Sequence, residues 1–143
     1  MNERVPDRIP RDLIDRDEVS VMCLHAADEP EGIRHVWEDL EQRIGDMRGR
    51  KFFGVFNIGT SDYRACTEIQ DGDVPAELGL ESATLPGGKY LRARLRGQPP
   101  GVYELIGPTF EVLVKAAVPD DTRPSIEFYR RRDQIDLLLP VKA

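Results

Sequence analysis

The chain has 143 residues, enough for one well-buried core and too few for two ordinary domains. Hydrophobic residues make up 40% and charged residues 32%, the balance of a soluble globular protein, and no apolar run approaches the roughly 18 residues needed to cross a membrane. A formal charge of -6 repels a polyanion, so direct nucleic-acid binding is not expected, and a neutral or cationic partner is.

Residues 1–17 mix Pro, Asp and Arg without periodicity and read as an irregular N-terminal arm, with residues 18–143 forming the single domain. The start lacks the apolar stretch of a signal peptide, and Cys23 and Cys66 lack ligand or redox spacing, so the expected location is the cytoplasm, with reduced thiols. After the arm, "VSVMCLH" (Val19 to His25) is β-branched and apolar and predicts a strand, and Asp28 with Pro30 marks a helix start. Ile33, Val36, Trp37, Leu40, Ile44 and Met47 then recur at helical spacing with charges on the other face. "KFFGVFNI" and "YRACTEI" predict two strands joined by the turn-forming "GTSD". The first half therefore reads β-α-β-β.

A weaker strand over Leu80 to Leu85 leads through Pro86, Gly87 and Gly88 into a second half of the same order. There "KYLRARLRG" is a strand, "VYELIGPTFEVLVKAA" is helical, and "SIEFYRR" and "IDLLLPV" make a hairpin around "RDQ". Val19 corresponds to Tyr90, Ile33 to Val102, Phe52 to Ser125 and Tyr63 to Ile135, an offset that stays at roughly 70 residues. The expected fold class is α+β: duplicated β-α-β-β units about a pseudo-twofold axis, forming an antiparallel sheet with two main helices. Pro108 lies inside the second helix, where it removes a backbone donor. A kink near Gly107 is expected, the alternative being a short turn over Val102 to Ile106 followed by a helix that begins at Pro108.

Within "SIEFYRR", strand alternation puts Glu127 and Tyr129 on one face and Ile126 and Phe128 on the other. If Ile126 and Phe128 pack under a helix, Glu127 faces either solvent, paired with an arginine, or a cavity. In a cavity the carboxyl would be desolvated and its pKa raised, and a bound cation would favour the charged form.

Trp37, "FGVF", "YRACTEI", "LPGGKYLRARLRG" and the ending "IEFYRRRDQIDLLLPV" together resemble the gyrase-inhibitor-like (GyrI-like) small-molecule-binding domain. The resemblance runs from about Val19 onward. It implies two helices flanking a groove in which an aromatic-lined cavity receives lipophilic, often cationic, compounds, with Glu127 at the position of the family's cavity glutamate. The ligand-binding residues it implies, taken with their positions on strands and helices, are Glu127, Tyr129, Trp37, Phe56, Tyr63, Tyr90 and Phe110. A second implied role is catalytic: Glu127 as general base on water and Tyr129 as proton donor, in hydrolysis of strained electrophilic natural products. A third is inhibition of a protein partner through the surface. The arm is too short for a helix-turn-helix domain of the kind regulator members carry.

No nucleophile-elbow, P-loop or zinc-protease motif is present, so no cofactor or metal is expected. His25 and His35 read as ordinary residues, and Cys66 as a buried, inert thiol. Arg92, Arg94 and Arg96 with Arg130, Arg131 and Arg132 could form a basic strip, or the solvated side of a sheet balanced by acids.

Overall fold

The computed structural model describes residues 9–142. Its elements run β1 (Arg11–Arg16), β2 (Val19–Ala27), α1 (Pro30–Ile44), β3 (Phe52–Phe56), β4 (Asp62–Glu68), β5 (Glu81–Leu85), β6 (Gly88–Arg96), α2 (Ile106–Ala116), β7 (Ser125–Arg131) and β8 (Gln134–Pro140). Short 3-10 turns over Pro75–Leu78 and Gly101–Leu105 precede β5 and α2. All strands join one antiparallel sheet in the order β1-β6-β8-β7-β3-β4-β2-β5. The α+β class with two main helices is the one expected. Outward from the central β3–β7 pair the order is β3, β4, β2 on one side and β7, β8, β6 on the other, so the two β-α-β-β runs occupy equivalent places. Among the described residues no helix is long and apolar enough to cross a membrane.

Two expectations need correction. Inside the stretch read as irregular, Arg11–Arg16 forms an edge strand on β6, with Leu13 opposite Leu91 and Ile14 opposite Tyr90; residues 1–8 lie outside the described part. Its sequence, RDLIDR, alternates charge rather than hydrophobicity because it is an edge, where charges discourage further pairing. The second helix has no mid-helix kink at Gly107. A 3-10 turn precedes α2, which starts at Ile106 and places Pro108 in its first turn, where the missing N–H has no helical acceptor to lose. This is the alternative arrangement, with the helix starting two residues earlier.

The strand order also dictates curvature. β1 and β5 stand at opposite ends, yet only Asp17 and Glu18 connect β1 to β2, and only Pro86 and Gly87 connect β5 to β6. In a flat sheet each connection would cross six strand spacings, about 29 Å, whereas three Cα–Cα steps reach about 11 Å. The ends therefore curl together, and the two links touch. A Cβ on Gly87 would lie 2.8 Å from the Arg16 carbonyl oxygen and 2.9 Å from the Glu18 nitrogen. Since both neighbours are backbone, Gly87→Ala is expected to cost about 1–3 kcal/mol, read as a lower thermal midpoint; an unchanged midpoint would mean that the links separate freely.

Both helices cover one face. α1 packs Val36 and Leu40 against Met22, Tyr63 and Ala65, and α2 packs Phe110 and Leu113 against Leu91, Leu95, Ile135 and Leu137. The second face carries Val21, Cys23, Phe53, Val55, Tyr90, Ile126 and Leu138 without a helical residue among them. Curling buries it, and the Arg16 guanidinium lies 5.2 Å from the Phe128 ring centre. Ile126 is thus buried and Phe128 half-buried against the same cluster, on the face away from the helices rather than beneath one. Half of the basic strip is paired with acids: Arg92 pairs with Asp12 and Arg94 with Asp136, each at 2.7 Å, and Arg130 approaches Asp136 at 3.5 Å.

Candidate functional site

The site grows from the register of the central strands. Gly54 on β3 stands opposite Glu127 on β7 and Ala65 on β4, and Phe52 stands opposite Tyr129. The face of β7 that carries Glu127 and Tyr129 is the helix-bearing one. With no side chain at Gly54, Tyr63 leans across the strand and donates its hydroxyl to Glu127 Oε1 at 2.9 Å. Tyr129 donates to the same oxygen at 2.7 Å, and Trp37 Nε1 on α1 donates to the Tyr63 hydroxyl at 3.0 Å. A Cβ on Gly54 would collide with the Tyr63 hydroxyl and with Glu127 Oε1.

Glu127 is 6% exposed, and no ion pair among the described residues involves it. Burial raises its pKa, the two tyrosine hydroxyls partly offset this, and the Asp28 charge adds to the rise. Burial and the Glu127 charge hold the Tyr63 and Tyr129 hydroxyls well above the ordinary tyrosine range, so both remain donors. Among the described residues Thr109 Oγ1 is the one sealed-off side-chain polar atom without a partner. Glu127 Oε2, which neither tyrosine engages, keeps contact with the space in front of it.

That space is a cleft of about 1570 Å³ between the two helices, floored by β3, β4 and β7. Of the sequence-predicted residues, Trp37, Phe56, Tyr63, Phe110, Glu127 and Tyr129 line it together. Their rings meet edge to face: Trp37 and Tyr129 at 5.4 Å between centres, Phe56 and Phe110 at 5.1 Å. Tyr90 does not join them. It lies on the second face, donates its hydroxyl to the Pro86 carbonyl at 2.6 Å and carries the Arg123 guanidinium 4.9 Å from its ring centre. It is a core residue, displaced from the cleft by strand parity.

Sequence reasoning passed over Phe52, Gly54 and Tyr103. Phe52 and Tyr103 bring further rings to the cleft, Phe52 at 6.2 Å from Trp37 and Tyr103 at 6.4 Å from Tyr129. The period of two that links Phe52, Gly54 and Phe56 was an available signal for the first two. Tyr103 sits on a 3-10 turn, where a helical phase points a side chain the wrong way.

None of the two cysteines and two histidines lines the cleft. His35 is exposed. Cys66 is buried, as expected, and faces Cys23 across the β2–β4 pair, both as free thiols; their interaction lowers the pKa of Cys23 and, with burial, raises that of Cys66. His25, two residues beyond Cys23, binds Asp62, and that bond raises the imidazole pKa.

No protein-family model matches the chain, and no curated protein matches it. Solved structures do. An integron cassette protein from the mobile metagenome of Vibrio cholerae is similar with a TM-score of 0.71 at 17% identity, over 92% of this chain and 95% of that one. SAV2435 bound to tetraphenylphosphonium gives a TM-score of 0.63 at 14% identity, covering 94% of this chain and 95% of its own. This chain shares their fold. A hydrolase from Listeria innocua also matches, with a TM-score of 0.58 at 10% identity over 92% of this chain and 91% of that one.

Proposed function

We propose that the chain is a GyrI-like protein that binds a lipophilic small molecule, cationic or neutral and aromatic, in the cleft between α1 and α2. The observation that carries this reading is a desolvated carboxylate at the floor of an aromatic cleft, hydrogen-bonded by two tyrosines and in no ion pair among the described residues. A soft cation entering the cleft supplies the missing charge, and faces of Trp37, Tyr103 and Phe52 add attraction of roughly 0.5–2 kcal/mol each. Hydrophobic burial supplies the rest. The likeness to a protein bound to a lipophilic phosphonium supports the choice of probe.

A second reading rests on the same carboxyl. With a raised pKa and Oε2 turned to the cleft, Glu127 has what a general base on water needs, and two buried hydroxyls stand next to it. The fold likeness to a hydrolase supports it to the extent of fold alone.

The test is a thermal-shift titration with tetraphenylphosphonium and with electrophilic aromatic compounds, each hit followed by mass spectrometry. Binding at 100 times the dissociation constant stabilises by about 2.7 kcal/mol. A concentration-dependent rise with the compound recovered intact supports the binder, and recovery of a hydrated product moves the hydrolase first. No rise with either class of compound would overturn the proposal.

A further inference from the structure

We propose that Cys23, His25 and Glu81 form a binding site for a divalent transition metal of the zinc type, on the second face of the sheet and separate from the aromatic cleft. The thiol sulfur, an imidazole nitrogen and a carboxylate oxygen of these residues all lie within 4.8 Å of one another. Chain register assembles them. Cys23 and His25 are two apart on β2 and so share a face, while β5 sets Glu81 directly opposite Cys23. Cys23 and Glu81, 58 positions apart in sequence, meet this way, so sequence spacing carried no ligand pattern.

The histidine is already oriented. Its Nδ1 lies 3.0 Å from Asp62 Oδ1 on β4, and its Nε2 lies 3.3 Å from Glu81 Oε1. With Asp62 bound at Nδ1, Nε2 faces the space shared with Glu81 and Cys23. A carboxylate behind a ligating imidazole is the usual outer partner of metal-binding histidines. The 3.3 Å between Nε2 and Oε1 is also the ligand-to-ligand edge expected when both bind one tetrahedral ion at about 2.0–2.1 Å. Cys23 Sγ lies beneath them, 3.5 Å from the Glu81 carbonyl oxygen.

Chemistry and access agree with a borderline-soft ion. One sulfur, one nitrogen and one oxygen donor suit zinc better than magnesium or calcium, which take oxygen alone. On binding, the metal replaces the protons of the thiol and of Nε2, and three protein donors leave the fourth position to water. The His25 and Glu81 side chains are 44% and 62% exposed, which opens the site to solvent, while Cys23 at 1% closes its floor. Cys66, opposite Cys23, is outside the donor group.

The experiment uses the full chain reduced with a phosphine and titrated with Co2+ as a spectroscopic substitute for zinc. The expected result is one bound equivalent with a thiolate-to-cobalt charge-transfer band that Zn2+ bleaches. Cys23→Ser should lose the band and Cys66→Ser should keep it. Asp62→Asn should weaken binding by about 10- to 100-fold, and Glu81→Gln, at an exposed position, by at least about tenfold. Circular dichroism checks that each variant folds; if Cys23→Ser does not, Glu81→Gln decides. Absence of a thiolate band in the wild type, its survival in Cys23→Ser, or unchanged affinity in Glu81→Gln would each overturn the site.

Discussion

Glu127→Gln is expected to raise the thermal midpoint of the free protein at pH 8 and, in the same variant, to weaken capture of a lipophilic cation. The free-protein effect follows from linkage. Burial lifts the Glu127 pKa above its ordinary 4.5, so between that value and the raised one the native state holds a proton that the unfolded chain has released. The stability contributed by this proton is fully present below pH 4.5 and is lost as pH rises through the folded value. Above it, the native state carries a desolvated charge.

Glutamine keeps an oxygen for the Tyr63 and Tyr129 hydroxyls and has no charge to desolvate. Its advantage should be small below pH 4.5, grow through the titration window and level off above it. At the plateau the gain is on the order of 1–3 kcal/mol, and each kcal/mol moves the midpoint of a chain this size by roughly 3 °C. The loss on the binding side comes from the same removal: a charge-assisted contact is worth about 1.5–3 kcal/mol, or about 10- to 100-fold in affinity for tetraphenylphosphonium. Stability gained where binding is lost is the signature of a functional group held at a cost. A Gln variant with wild-type affinity and a pH-independent midpoint difference would remove Glu127 from the site.

Most of the fold was legible because its signals are local. The apolar spacing of α1, the alternation in β7 and the turn residues between β3 and β4 each fix an element from a few neighbouring side chains. What was not legible depends on parity and on long-range pairing. Tyr90 was read toward the cleft, but β6 turns it to the second face, and nothing within β6 itself states which face the helices cover. β1 was missed because an edge strand made of charges looks like an arm until its partner β6 is known. The Cys23, His25 and Glu81 group joins β2 to β5, and the cleft joins helices from both halves, so both exist only after the sheet has formed. Glu127 was the exception, since a carboxylate inside an otherwise apolar strand is visible in sequence.

The second large effect is expected at Gly54, a residue with no polar atom in the site. Replacing a strand glycine by alanine ordinarily stabilises by about 0.5–1 kcal/mol, because the unfolded chain loses freedom. Here the sign should reverse. The new Cβ would occupy the place of the Tyr63 hydroxyl and of Glu127 Oε1, and would lie 3.0 Å from Tyr63 Cζ. The backbone cannot retreat, since β3 is held between β4 and β7. Tyr63 must swing out instead, breaking its bond to the carboxylate and the bond from Trp37. Overpacking costs about 1–3 kcal/mol, and a lost hydrogen bond to a buried charge costs about as much again. Gly54→Ala should therefore lower the midpoint by several degrees and weaken phosphonium binding together with it.

A double variant isolates the cause. Tyr63→Phe alone removes the hydroxyl and its bond, and in that background the alanine still meets Glu127 Oε1 and the ring but no longer the hydroxyl. The penalty of Gly54→Ala should shrink by at least about 1 kcal/mol, a non-additivity expected of groups in direct contact. Equal penalties in both backgrounds would mean that the alanine is accommodated without moving Tyr63. The role assigned to Gly54, making room for a tyrosine and a carboxylate to meet over a strand, would then fail.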